Sequence, residues 1–244
     1  MTSARTEILA RIAQAHAAAP PPDLTYADVE RGYRTSSDLD ADALVERLVD
    51  RLLDYKAFVR RCAPAELAAT IAAALADRGI QTVVVPPGLK PAWLAEVDVD
   101  VLVDGGARHD PLSVAELDAV DGVITHCAAA MAETGTLVLD ARPDQGRRAI
   151  TLVPDYHLCI VTPGLIHADV PQALTHLDLT RPMTMISGPS ATSDIELNRV
   201  EGVHGPRTLE VIVVEAGPTD RTRDSNGPGT GTVQHGDPPQ DSVA

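Results

Sequence analysis

Residues 64–85 read PAELAATIAAALADRGIQTVVV, and this stretch decides the fold. Pro64 stands at the first position of a helix expected to run to about Arg78, with Gly79 just past its end. Residues 82–85 are a β-branched run of strand composition. The same alternation continues downstream. Residues 91–97 read as a short helix, 99–103 as a strand, 114–119 as a helix and 123–125 as a strand. Strands alternating with helices over short links imply parallel pairing. Their near-continuous apolar character implies that both faces are covered. The fold class is therefore α/β, an open, mostly parallel sheet covered by helices on both faces.

Upstream, residues 58–61 read as a strand. Residues 38–53 form an amphipathic helix with Leu44, Val45, Leu48 and Leu52 at helical spacing, and Asp38 or Asp40 can cap it. Residues 2–18 form a first helix with Ile8, Leu9 and Ile12 on one face, ended by Pro20, Pro21 and Pro22. The stretch to Ser37 is polar and irregular. Beyond Thr125 the rhythm changes. Residues 136–140, 149–153 and 158–161 are strand candidates, with no room for a helix between the first two. They imply a mixed or antiparallel extension of the sheet in the second half. A helix over 170–177 and strands over 184–187 and 209–214 complete the pattern. From Ala216 onward the chain has almost no apolar residues and is expected to be a disordered tail. The expected organisation is a helix and irregular lead-in over 1–37, an α/β domain over 38–215 and a tail over 216–244.

The chain has 244 residues, 44% of them apolar and only 2% aromatic, so its core must rest on Ala, Val, Leu and Ile. No apolar run approaches the roughly 20 residues of a membrane span. The N-terminus lacks a continuous apolar signal segment, since Glu7 and Arg11 interrupt it. No membrane association is expected, and the expected location is the cytoplasm. The net charge is −15. Asp98, Asp100, Asp104, Asp110, Glu116, Asp118 and Asp121 share their stretch with a single cation, Arg108. Such a field repels phosphate backbones, and clustered cations and stacking aromatics are missing, so nucleic acid is excluded as a partner. The two lysines, Lys56 and Lys90, sit in contexts that do not suggest Schiff-base chemistry. The cysteines, Cys62, Cys127 and Cys159, form no C-x-x-C pair, so no iron–sulfur cluster and no disulfide framework is expected. Cys159 reads as a core residue. Cys127, beside a loop, is the one thiol with a chance of reactivity.

The functional site is expected in polar loops between Thr125 and Arg207, since open α/β sheets bind ligands outside the carboxyl ends of their strands. Four clusters stand out. In the first, Glu133 and Thr134 precede Gly135, where the backbone can bend or admit a ligand. In the second, Arg147 and Arg148 can pair with Asp144 or clamp a carboxylate or phosphate, and His157 follows Asp155. In the third, Ser187, Gly188, Pro189 and Ser190 leave a strand sharply, and Ser190 or Thr192 can cap a turn through Asp194 and Glu196, aiming backbone N–H groups at an anion. In the fourth, His204, Gly205, Pro206 and Arg207 set a titratable ring beside a cation. Glu133, His157 and His204 are the candidate proton-moving or nucleophilic residues. Thr134, Gly135, Arg147, Arg148, Ser187, Gly188, Ser190, Thr192, Asp194 and Arg207 are the candidate ligand-binding residues. The third cluster matches neither the lysine-bearing phosphate loop nor G-x-G-x-x-G. No histidine pair has the spacing of H-E-x-x-H, so neither a metal nor a cofactor is expected.

Taken together, AETGTLVLD (132–140), QGRRAITLVPDYH (145–157), ISGPSATSDIE (186–196) and GVHGPRTLEVIVV (202–214) resemble the lactate-utilisation protein C family, or LUD-domain family, in order and spacing. The resemblance covers roughly 38–215. It implies a fold similar to the sugar-phosphate isomerase and coenzyme A transferase superfamily. It also implies an accessory, non-redox place in a three-component system that oxidises L-lactate to pyruvate, with iron–sulfur proteins as partners and a small carboxylate or phosphate as ligand. Thr125-His126-Cys127 stands where a smaller, Gly-containing turn is expected, which weighs against a ligand role for that turn. The competing readings are a coenzyme A transferase-like enzyme with Glu133 as nucleophile, and a ligand-sensing regulatory module.

Overall fold

The computed structural model describes residues 4–18, 25, 28–30, 32–34, 36–107, 110–192, 200–201 and 204–215. The chain divides into two units, Met1–Thr35 and Ser36–Ala244. The first holds α1 (Ala4–Ala18), with Glu7 and Arg11 paired one turn apart. Residues 216–244, expected to be disordered, lie outside the described residues, as do Asp194 and Glu196.

The second unit is built on a six-stranded parallel sheet. Its strands are β1 (Phe58–Cys62), β2 (Thr82–Val85), β3 (Asp100–Val103), β4 (Gly122–His126), β7 (Tyr156–Val161) and β12 (Thr208–Val214). The order across the sheet is β1-β12-β7-β4-β2-β3, and every pairing is parallel. The expected parallel sheet is thus present. From β2 the chain steps outward to the edge strand β3 and then returns to lay β4 on the other side of β2. The strand order therefore reverses between β2 and β4.

Helices cover both faces, as the apolar strand runs require. α3 (Leu67–Asp77) repeats Leu67, Ile71, Ala74 and Leu75 at helical spacing and packs them on Ile124, Leu158, Ile160 and Ile212. Gly79, at φ 66°, ends that run in the left-handed conformation a glycine tolerates. On the other face, α2 (Ala41–Asp54) is capped by Asp40, whose carboxylate accepts from the Ala43 N–H at 2.8 Å. Its Leu48 and Leu52 are fully buried against Cys159, Val161, Val211 and Val213. α4 (Val114–Asp118) begins with a reciprocal Ser113–Glu116 cap and buries Leu117 on Val84 and Val123.

The expected extension is a separate four-stranded sheet. It comprises β5 (Ala129–Met131), β6 (Thr136–Leu139), β8 (Ile166–His167) and β9 (Thr184–Ile186) in the order β8-β5-β6-β9, with antiparallel and parallel pairings mixed. α5 (Val170–Thr175) covers its outer side through Ala173. A short hairpin pairs β10 (Ala191–Thr192) with β11 (Val200–Glu201).

Two local expectations are corrected. Residues 149–153 are not a strand. Residues Arg148–Thr151 form a 3-10 turn, in which the Thr151 hydroxyl donates to the Arg148 carbonyl and the Arg148 guanidinium returns a bond to the Thr151 carbonyl. Such local side-chain bonds compete with sheet pairing, and Pro154 then removes a donor. Residues 158–161 do not belong to the mixed extension either. β7 is buried along its whole length in the centre of the parallel sheet.

Candidate functional site

The amino ends of β7 and β12 open onto a crevice of about 200 Å³. His157 and Leu209, paired across the two strands, form its floor. Arg148 and Thr151 come from the 3-10 turn before β7. Residues 184–190 come from β9 and the loop after it, and residues 204–206 from the loop before β12. Six of the sequence candidates therefore meet: Arg148, His157, Ser187, Gly188, Ser190 and His204.

The walls are held by backbone. The Ser190 N–H donates to the Pro206 carbonyl at 2.9 Å, and the Ser190 hydroxyl accepts from the His204 N–H at 3.1 Å. Gly188 is at φ 85°, and a Cβ there would lie 2.7 Å from the Tyr55 carbonyl oxygen, so the turn after β9 needs glycine for two reasons. Ser187 bonds the Thr136 hydroxyl at 2.8 Å, and Thr136 in turn bonds Thr134 at 2.7 Å. Thr134 thus braces the crevice without lining it.

Arg148 is the cation of the crevice. One guanidinium nitrogen donates to the Thr151 carbonyl at 2.8 Å and hydroxyl at 3.1 Å; the other donates to the His204 carbonyl at 2.9 Å. Among the described residues these acceptors are all neutral. Burial lowers its pKa from the usual arginine range. His157 is buried, and its Nε2 meets the Thr125 hydroxyl at 2.8 Å. Burial, with the Arg148 charge nearby, pushes the ring down to about 3. His157, a candidate proton-moving residue, is therefore at neutral pH an uncharged ring in a hydrogen bond.

Among the described residues, Arg147, Arg207, Glu133 and Gly135 do not line this crevice. Arg147 turns away into a two-point pair with Asp104, at 2.8 and 2.7 Å, and donates to the Leu112 carbonyl at 2.5 Å. Its partner is Asp104 rather than Asp144. Arg207 pairs with Asp155 at 2.9 Å on the surface and borders a cleft that Tyr156 and Thr208 line instead. Glu133 is exposed in the β5–β6 turn, where its N–H donates to the Ala168 carbonyl at 2.9 Å. Gly135, at φ 60°, lets that turn approach α2, since a Cβ there would lie 2.8 Å from Arg51 Cβ. It serves packing rather than ligand approach. Thr192 lies on β10, and Asp194 lies outside the described residues.

The crevice lies at the amino ends of β7 and β12, whereas the sequence placed the expected site at the carboxyl ends of the strands. Sequence reasoning also missed Thr125 and Thr151, whose hydroxyls bond His157 and Arg148; both lie in quoted stretches, but neither was given a role. Cys127 is buried, and its thiol is pushed up by a hydrogen bond with Cys159 and by burial, which disposes of the reactive reading. Among the described residues, no three His, Cys, Asp or Glu side chains are placed to hold a metal ion, and no helix is long and apolar enough to cross a membrane.

Comparison with known proteins gives concordant matches. A family model described as the LUD domain matches residues 113–214. A lactate utilization protein C from Deinococcus radiodurans is 44% identical over 215 residues, which is 86% of this chain and 95% of that protein. A lactate utilization protein C from Shouchella clausii is 33% identical over 115 residues, 44% of this chain and 50% of that protein. The crystal structure of a DUF162 family protein from Deinococcus radiodurans is 42% identical, with a TM-score of 0.62, and covers 72% of this chain and 99% of that one.

Proposed function

Because this chain belongs to the lactate-utilisation protein C family of LUD-domain proteins, we propose that it serves lactate utilisation as a non-redox component binding a small carboxylate in the amino-edge crevice. The observation that carries this reading is Arg148. Its guanidinium is partly desolvated and, among the described residues, held only by neutral oxygens. A cation in that position gains from an incoming anion, and a carboxylate matches its fork. The protein's negative field makes such a local positive group the selective element. The Ser187 and Ser190 hydroxyls supply further hydrogen-bonding groups suited to the hydroxyl of a 2-hydroxy acid. The volume of about 200 Å³ suits a ligand of a few heavy atoms.

The electrons of lactate oxidation need carriers, and the cluster-bearing iron–sulfur proteins of the system are the partners in this reading. Cys62, Cys127 and Cys159 are buried thiols. Nothing favours Glu133 as a transferase nucleophile, since it lies outside the crevice.

Calorimetric titration of the purified chain with L-lactate, pyruvate and phosphate tests the proposal. We expect one of the two carboxylates to bind and Arg148→Ala to weaken it by about 1.5–3 kcal/mol, the scale of a charge-assisted hydrogen bond. Equal affinity in the variant removes Arg148 from the site.

A further inference from the structure

At the opposite edge of the sheet, His126 ends β4 and Thr162 follows β7, five residues beyond His157 and so roughly 16 Å further along the strand. His126 Nδ1 lies 2.8 Å from a carboxylate oxygen of Asp144, and its Nε2 lies 3.1 Å from the Thr162 hydroxyl. An ionised carboxylate can only accept, so Nδ1 carries the proton and Nε2 presents its lone pair to Thr162, which donates. The order is hydroxyl, imidazole, carboxylate. Burial raises the Asp144 pKa, but the bond from His126 and the neighbouring charges outweigh it and hold the carboxyl below its ordinary value.

We propose that Thr162, His126 and Asp144 are a nucleophile, its general base and the carboxylate that orients it, in a site for activated acyl groups, that is, esters or thioesters of small acids. This site is independent of the amino-edge crevice.

Three observations beyond the distances support it. The site lies outside the carboxyl ends of β4 and β7, next to the reversal of strand order between β2 and β4, and open α/β sheets bind their ligands at that edge. Thr162 occupies the cap position of the 3-10 turn Pro163–Leu165 yet makes no capping bond, its hydroxyl being committed to His126 instead. The loop that carries Asp144 is also braced at a cost. Ala141 is held at φ 57°, the buried Gln145 side chain accepts from the Asp140 N–H at 2.6 Å, and the Gly88 N–H donates to the Pro143 carbonyl at 2.8 Å. A strained backbone next to reactive groups is maintained by its surroundings.

Access and polarity fit the proposal. The His126 side chain is 15% exposed and that of Asp144 32%. Trp93 stands edge-on to His126 at 5.3 Å, and the exposed Lys90 ammonium sits 5.1 Å from the Trp93 ring. Lys90 is placed to meet a negative charge on the substrate. In the first step the Thr162 oxygen bonds the acyl carbon and the bond to the leaving oxygen or sulfur breaks. The hydroxyl proton passes to His126 Nε2 and from there to the leaving group. Water, giving a proton to the same ring, then bonds the acyl carbon; the bond to the Thr162 oxygen breaks, the ring returns the proton to that oxygen, and the free acid leaves.

Stopped-flow assays of the full chain with p-nitrophenyl acetate and p-nitrophenyl hemisuccinate test this. We expect a stoichiometric p-nitrophenolate burst and an acyl adduct located on Thr162 by peptide mass spectrometry. Thr162→Ala abolishes both, Thr162→Ser keeps them, and Asp144→Asn slows acylation at least roughly 10²-fold. Lys90→Ala slows the hemisuccinate reaction more than the acetate reaction. A wild-type protein without a burst, or with acyl groups only on other residues, overturns the proposal. So does a Thr162→Ala burst equal to wild type. Wild type and Thr162→Ser fold without loss of the hydroxyl, so these readouts hold even if the alanine variant is unstable.

Discussion

His157 and His126 sit at opposite ends of neighbouring strands, and their surroundings assign them different work. His157 lies at the start of β7, is buried, and has the Arg148 cation nearby, so it is held as a neutral ring bonded to Thr125. His126 closes β4, keeps a partly exposed ring and faces the Asp144 carboxylate. One residue type on one sheet becomes a structural ring at the amino edge and a candidate base at the carboxyl edge. The chemistry of a histidine is set by the charge and the water around it, and neither can be read from its immediate sequence neighbours.

The largest expected effect follows from the buried ring. An unfolded histidine takes up its proton near pH 6.5, whereas folded His157 refuses it until about pH 3. Between those values the unfolded chain binds the extra proton, so stability is lost as the pH falls from 6.5 towards 3. At about 1.4 kcal/mol per tenfold change, the full window is worth on the order of 4–5 kcal/mol. Urea unfolding at pH 7 and pH 4.5, for wild type and His157→Gln, measures the contribution. The comparison breaks if the variant loses as much stability on acidification as wild type.

Next in size, Arg147→Ala sharpens the division between two adjacent arginines. It leaves the Asp104 carboxylate buried without its ion pair, the kind of loss that exposes a desolvation penalty. With Arg147 itself partly exposed, we expect about 2–3 kcal/mol of destabilisation and an unchanged affinity for any crevice ligand. A loss of affinity without loss of stability would make Arg147, not Arg148, the clamp. The smallest effect is that of Gly135→Ala, which must hold an L-residue at φ 60° and press on Arg51. Destabilisation of about 1–2 kcal/mol, read from the thermal midpoint, and intact ligand binding are expected. Lost binding at full stability would return the β5–β6 turn to the site.

The elements that local pattern specifies were legible. Asp38 or Asp40 before a leucine stripe marked α2, Pro64 and Gly79 bracketed the helical stretch that includes α3, and Val83, Val84 and Val85 read as a buried strand. β5 escaped notice because its strand, Ala129–Met131, belongs to the run 128–132, which is almost all alanine and carries little strand preference. It becomes a strand because β6 and β8 offer it partners. Arg147 and Arg148 are indistinguishable by sequence. One turns to Asp104, 43 residues away, and the other to the His204 carbonyl, 56 residues away. Thr125-His126-Cys127 was read against a ligand role because it stands where a Gly-containing turn is expected; the partners of His126, Asp144 and Thr162, stand 18 and 36 residues further along the chain.

By itself the sequence determined the layer order, the parallel pairing and the family, because apolar periodicity, caps and turn residues act over a few neighbours. Tertiary structure alone decided which polar loops meet, at which edge of the sheet, and which histidine keeps access to water. Those outcomes depend on distances between groups far apart in the chain, and on the desolvation that only the assembled layers impose.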